Sequence, residues 1–334
     1  MIIRKPRGTG DLRFASFVLL LAGAMAPATM AQAQGIIVDS IQPSRPDLGV
    51  LVSAAQGDTV FRISPSDGWV TRESGQGTRH GGGMVRALVS LTCREEQGCE
   101  DTEAIVTISA IGNPVGRAGM LTAFTVAPGP APPIMGPASG TDILTFTVSG
   151  IPRNEVRDFY VGADFTLLPS GDTGEASAEF SVSVDSDIML ASFSATTLRP
   201  LSVMNTSPLN FGRIIPPSSG SGTVVLNAAT RGRELTGNGT VALNTPAPSL
   251  AEFEVSGEGG QSISIDVPTS FSLTGPAGSL SVTTNHDAHP SPTLDAAMGS
   301  EGSYVFRVGG SIPLSDTTGA GHYSGTFEVT VAYN

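Results

Sequence analysis

From residue 35 onward the chain is a succession of short apolar alternations broken by Gly, Pro, Asn and Asp clusters. The clearest alternation closes the sequence, where Phe327, Val329, Val331 and Tyr333 are separated by polar or small residues, the period of a strand with one buried face. Phe180, Val182 and Val184 form a second run of the same kind. No sustained 3.6-residue apolar period appears after the first thirty-three residues, and Val and Thr dominate the apolar runs. The expected fold class is therefore all-β. Asp67-Gly68 and Asn238-Gly239 are hairpin turn signals. Short strands at this spacing predict immunoglobulin-like β-sandwiches with Greek-key connections.

The pattern occurs twice. Val161–Leu167 and Gly174–Val184 align without gaps on Val308–Leu314 and Gly321–Val331, so that Gly162 meets Gly309, Leu167 meets Leu314 and Phe180 meets Phe327. Earlier in the chain, Asp47-Leu-Gly49 parallels Asn210-Phe-Gly212, Gly57-Asp-Thr-Val60 parallels Ser221-Gly-Thr-Val224, and Ala123–Val126 parallels Ala251–Val255. Two tandem copies of one β-domain are expected, over residues 34–187 and 201–334. The join at 188–200 is not a Gly/Ser linker. Met189, Ala191, Phe193 and Ala195 alternate with Ile188, Leu190 and Ser192, which makes the join a candidate strand. Pro128–Pro133 reads as an exposed loop inside the first copy.

Residues 1–33 read as a secretory signal peptide: Arg4, Lys5, Arg7 and Arg13, an apolar stretch from Phe17 to Met25, then Ala31-Gln-Ala33 as the cleavage site. Export to the periplasm, and on to the cell surface or medium, follows as an expectation. No later run reaches the length of a membrane span. The first 33 residues carry four positive side chains and one negative, so their removal takes the net charge from −12 to −15. With Lys5 the sole lysine and no basic stripe, nucleic acid and anionic membrane are excluded as expected partners. Cys93 and Cys99 flank a short charged loop, and in an exported chain they are expected to form a disulfide holding a hairpin tip.

Two resemblances add to this. Gly321 fourteen residues from the end, the alternation at Phe327, Val329 and Val331, and the penultimate Tyr333 together resemble the C-terminal signature of chaperone–usher pilus subunits. That resemblance implies a surface grasped by a periplasmic chaperone, and a sandwich completed by a strand from a like subunit. The candidate donor strands are Gly35–Ile41, carrying Ile36 and Val38, and the join, carrying Met189, Ala191 and Phe193. If the join completes the first copy internally, only the second needs an outside partner. Ala195–Gly212, Ser221–Leu226, Phe253–Gly257 and Val308–Gly310 resemble the exported bacterial family of domain of unknown function 4402, which assigns no catalytic residues. The first copy follows that pattern only faintly.

Catalytic signals are absent. No Gly-x-Ser-x-Gly elbow and no nucleophile–base–acid set stand out. His286-Asp-Ala-His289 has two imidazoles and a carboxylate at metal-ligand spacing, but in loop-like sequence where a solvated loop is the expectation. Thr78–Gly83 resembles an anion cradle without a following helix, and Trp69 is a candidate sugar-stacking residue on a hairpin. The expected protein is non-enzymatic and cofactor-free: a fimbrial subunit or tip adhesin, contacting a surface glycan or protein. The alternative is a monomeric secreted binding module with complete sandwiches.

Overall fold

The computed structural model describes residues 35–95, 98–130 and 139–334. The signal-peptide expectation and the later part of the Pro-rich run lie outside these residues. Within the described residues the chain is all-β, arranged as two sandwich lobes.

The first lobe contains β1 (Ile36–Gln42), β2 (Asp47–Val52), β3 (Thr59–Ile63), β4 (Val70–Ser74), β5 (Thr78–His80), β6 (Ala87–Cys93), β7 (Cys99–Ala110), β8 (Thr122–Pro128), β9 (Ile143–Ile151), β10 (Val156–Leu167), β11 (Gly174–Val184) and β12 (Asp187–Leu198). One sheet runs β1-β6-β10-β3-β4, with β8 also along β10; the other runs β5-β2-β12-β11-β7-β9. Alternate residues point inward from both sheets, and aromatic rings close the core between them. Phe146 of one sheet meets Phe159 of the other edge-on at 5.2 Å, and Phe124 meets Phe180 at 6.1 Å.

The second lobe contains β13 (Ser202–Ser207), β14 (Arg213–Ile215), β15 (Ser221–Leu226), β16 (Arg233–Thr236), β17 (Val241–Leu243), β18 (Ala251–Glu258), β19 (Ile263–Asp266), β20 (Ser270–Gly275), β21 (Gly278–His286), β22 (Glu301–Ser315) and β23 (Thr330–Tyr333). Its large sheet runs β13-β18-β22-β15-β16, with β21 also along β22 and β20 beyond β21. This is the order of the first sheet of lobe one, strand for strand. The remaining strands form two separate ribbons, β14-β17 and β19-β23.

Residue pairings run in the same order in the first sheet of lobe one and the large sheet of lobe two, and depart from two of the sequence alignments. Ala87 pairs with Val161 and Ala251 with Val308, so β18 is the counterpart of β6 and not of the Ala123–Val126 run in β8. Phe61 pairs with Phe165 and Val224 with Ile312, so Val224 corresponds to Phe61, one residue away from the Val60 of the sequence match. A one-residue slip exchanges the two faces of a strand; Phe61 and Val224 are both buried, whereas Val60 is not. The shared glycine has a packing reason. A Cβ on Gly162 would stand 2.2 Å from the Ile63 carbonyl, and one on Gly309 would stand 2.1 Å from the carbonyl of its counterpart, Leu226.

Three further expectations change. Asn238-Gly239 does not turn a hairpin, because β16 and β17 pair with strands of different sheets. Cys93 and Cys99 are bonded, but β6 and β7 belong to opposite sheets. The disulfide therefore joins the two sheets of lobe one instead of holding a hairpin tip. The join is strand β12 of lobe one, so that lobe extends to Leu198 rather than ending at 187.

The disulfide closes a loop with a sequence separation of 6, so it restricts the unfolded chain only modestly. The double variant Cys93→Ser/Cys99→Ser is expected to lose about 2 kcal/mol of stability. Urea unfolding of the variant against the oxidised parent measures this.

Candidate functional site

In lobe one, β12 lies between β11 and β2. It pairs antiparallel with β11 from Gly174↔Thr197 to Val184↔Asp187, and parallel with β2 from Ser194↔Asp47 to Leu198↔Val52. Its inward residues Ala191, Phe193 and Ala195 are buried, and the Phe193 ring stacks on Phe180 at 5.4 Å. With that cover Phe180, Val182 and Val184 are each 0% exposed.

Lobe two has counterparts of both neighbours but, among the described residues, none of β12. Arg213 pairs with Leu243 as Val50 pairs with His80, so β14 stands where β2 stands. Val331 pairs with Ile265 as Val184 pairs with Val106, so β23 stands where β11 stands. No strand among the described residues pairs with the other edge of β14 or of β23. The two ribbons are therefore separate sheets, and the position that β12 takes in lobe one is here a slot with no strand among the described residues.

The residues singled out on the C-terminal run lie along this slot. Phe327, Val329, Val331 and Tyr333 keep their alternation, but each is only partly buried. Phe327 packs on Phe271 at 4.9 Å and on Phe253 at 5.9 Å, rings of the lobe's own strands β20 and β18. The regular strand is shorter than the alternation predicts, beginning at Thr330. Gly321 lies against Pro276, where a Cβ would come within 2.3 Å of the proline ring.

The candidate donor strands are placed inside lobe one. Ile36 and Val38 are buried in β1, which pairs with β6 of the same lobe. Met189, Ala191 and Phe193 belong to β12.

Tyr333 also anchors the junction between the lobes. The Glu258 amide donates to its Oη at 2.7 Å, and the hydroxyl donates to the Arg199 carbonyl at 2.9 Å. Glu258, 0% exposed, accepts from the Thr173 hydroxyl of lobe one at 2.8 Å and from the Gly299 amide, and its carboxylate lies 3.3 Å from Arg199 Nε. Gly257 leaves room for the phenol, since a Cβ there would stand 2.5 Å from Oη. Sequence reasoning missed Glu258: the alternation of β18 points Ala251, Phe253 and Val255 inward and assigns Glu258 to solvent.

The other candidates gather no chemistry. Asp287 accepts from the Arg307 amide at 2.6 Å and forms an ion pair with its guanidinium, and no three metal-ligating side chains cluster among the described residues. Arg79 in the Thr78–Gly83 loop donates to the Leu48 and Gly83 carbonyls, so its guanidinium serves the loop's own backbone. Trp69 does not pack on the sandwich. It is 66% exposed, on the hairpin between β3 and β4. No helix among the described residues is long and apolar enough to cross a membrane.

Residues 201–333 match the family described as domain of unknown function DUF4402. No curated protein matches the chain.

Burial pushes the Tyr333 phenol above its ordinary value of 10.0, with the neighbouring Glu258 carboxylate adding to the rise and Arg199 and Arg117 opposing it. A raised folded-state value means that the neutral phenol's contribution is complete below about pH 10 and is lost as pH climbs through the raised value. Tyr333→Phe is expected to cost about 1–3 kcal/mol at neutral pH, because the buried Glu258 amide loses its acceptor. It is also expected to flatten the stability loss above about pH 10. Urea unfolding of parent and variant across neutral to alkaline pH measures both.

Proposed function

We propose that the protein is an exported, non-enzymatic surface protein of the pilus type, assembled by strand complementation, with lobe two accepting the strand and lobe one carried as a binding head. One observation carries the reading: lobe one holds β12 between β2 and β11, while the matching position between β14 and β23 is open. An open strand edge with a half-covered apolar face invites pairing with another chain, so such a lobe needs a partner to stay soluble. A periplasmic chaperone followed by a like subunit meets that need.

Lobe one supports the head role over that of a shaft subunit. Its join strand is used internally, and β1, the candidate for outward donation, is buried in its own sheet. The exposed Trp69 hairpin offers an aromatic face for a glycan or protein ligand.

Immunogold electron microscopy of producing cells, with antibody against lobe two, tests the reading. Label at filament tips is expected; label along filaments would reassign the protein to the shaft. Label without filaments, together with a purified chain that stays monomeric without a partner, would replace this reading with the solitary binding module.

A further inference from the structure

The slot in lobe two has a direction and a size pattern, and lobe one displays both. We infer that its occupant is a strand of another polypeptide patterned like β12, running antiparallel to Thr326–Tyr333 and parallel to Asn210–Ile215, with a large apolar residue opposite Gly325, a small one opposite Phe327 and a flexible apolar one opposite Val329. This rests on the reading of lobe two as a strand acceptor and adds the occupant's orientation, register and side-chain sizes.

The pattern follows from the repeat. In lobe one Phe193 pairs with Ala178, Ala191 with Phe180 and Met189 with Val182. Large thus meets small at successive inward positions, so that two facing strands fill one layer without overlap. The gapless alignment carries Ala178 to Gly325, Phe180 to Phe327 and Val182 to Val329. Gly325 is kept small by the Ser272 carbonyl of β20, 2.1 Å from where a Cβ would stand, so the large residue opposite it is carried by the lobe-one pair alone. Phe327 is as large as Phe180, which demands a small residue there. The direction is fixed because β12 is antiparallel to β11 and parallel to β2, and the counterparts of both lie in lobe two. On the outward face Leu190 pairs with Ser181, whose counterpart is the exposed Glu328, and this pair reads the register directly.

The test uses the chain from Gly35 to Asn334 and a synthetic peptide with the sequence of β12, Asp187–Leu198. The peptide is expected to bind and to raise the melting temperature of the chain. Replacing its Phe193 by Ala, or its Ala191 by Trp, is expected to weaken binding about tenfold or more, through lost apolar burial in one case and a clash with Phe327 in the other. A Leu190→Cys peptide is expected to form a disulfide with the Glu328→Cys chain, and a peptide of reversed sequence is not.

If the substituted and reversed peptides bind as well as the parent, the inferred pattern and direction are wrong while lobe two remains an acceptor. If no peptide binds and the chain stays monomeric, the acceptor reading falls as well. If the Leu190→Cys peptide cross-links only to a Ser181→Cys chain, it has exchanged with β12 of lobe one, and the inference is overturned.

Discussion

A strand in a sandwich has to cover one apolar face and satisfy the hydrogen-bonding groups along both edges. That double requirement organises the molecule. In lobe one, β12 meets it by lying between β11 and β2, and the five inward residues of β11, from Ala176 to Val184, vanish from the surface. In lobe two the same arrangement of neighbours exists without the middle strand, and the corresponding residues stay half-covered. The splitting of the second sheet into two ribbons is the topological record of that difference. Each ribbon still has a backing layer: the large sheet of lobe two packs Phe253, Phe306 and Val308 beneath the β19-β23 ribbon, and Val224, Leu226 and Ile312 beneath Ile214 of the β14-β17 ribbon.

The open edge and the inter-lobe contact are one piece of structure. Tyr333 lies on the strand that borders the slot, and its hydroxyl is shared between the Glu258 amide and the Arg199 carbonyl. Glu258 reaches across to Thr173 of lobe one. A buried carboxylate is tolerated only when its lone pairs are engaged, and here a hydroxyl and two backbone amides donate to them, with the Arg199 guanidinium 3.3 Å away as a charge partner that does not hydrogen-bond. Removing any one partner leaves the others around a charge they cannot satisfy alone. The last strand therefore cannot be rearranged without disturbing the ties between the lobes.

The repeat, the all-β class and the cysteine pair were legible in the sequence because each rests on local pattern: alternation, turn residues, two thiols in one chain. The strand character of the join was legible for the same reason. What was not legible depends on which strands are neighbours. Ala251–Val255 and Ala123–Val126 are equally good alternations, and only pairing with the long strand shows that the former matches β6. Asn238-Gly239 has the residues of a hairpin turn but joins strands of two sheets. The cysteines sit close in sequence, yet a sheet boundary runs between them. Glu258 breaks the alternation rule because a junction, not a strand face, buries it. The one available signal was the concentration of polar partners, Arg199 and Tyr333, at either end of the second copy.

The two lobes also differ in where they depart from their common pattern. The family match covers residues 201–333, the lobe with the open slot, and stops short of lobe one. On the proposed reading, a foreign strand would meet lobe two along Phe327 and Val329. Lobe one carries the equivalent strand itself, β12 pairing with β11 along its whole length in a single chain. Lobe one also carries the exposed Trp69 hairpin, the Thr78–Gly83 loop and a disulfide between its sheets. On the proposed reading, a sandwich closed in cis needs no outside strand, and its loops are what would contact a ligand.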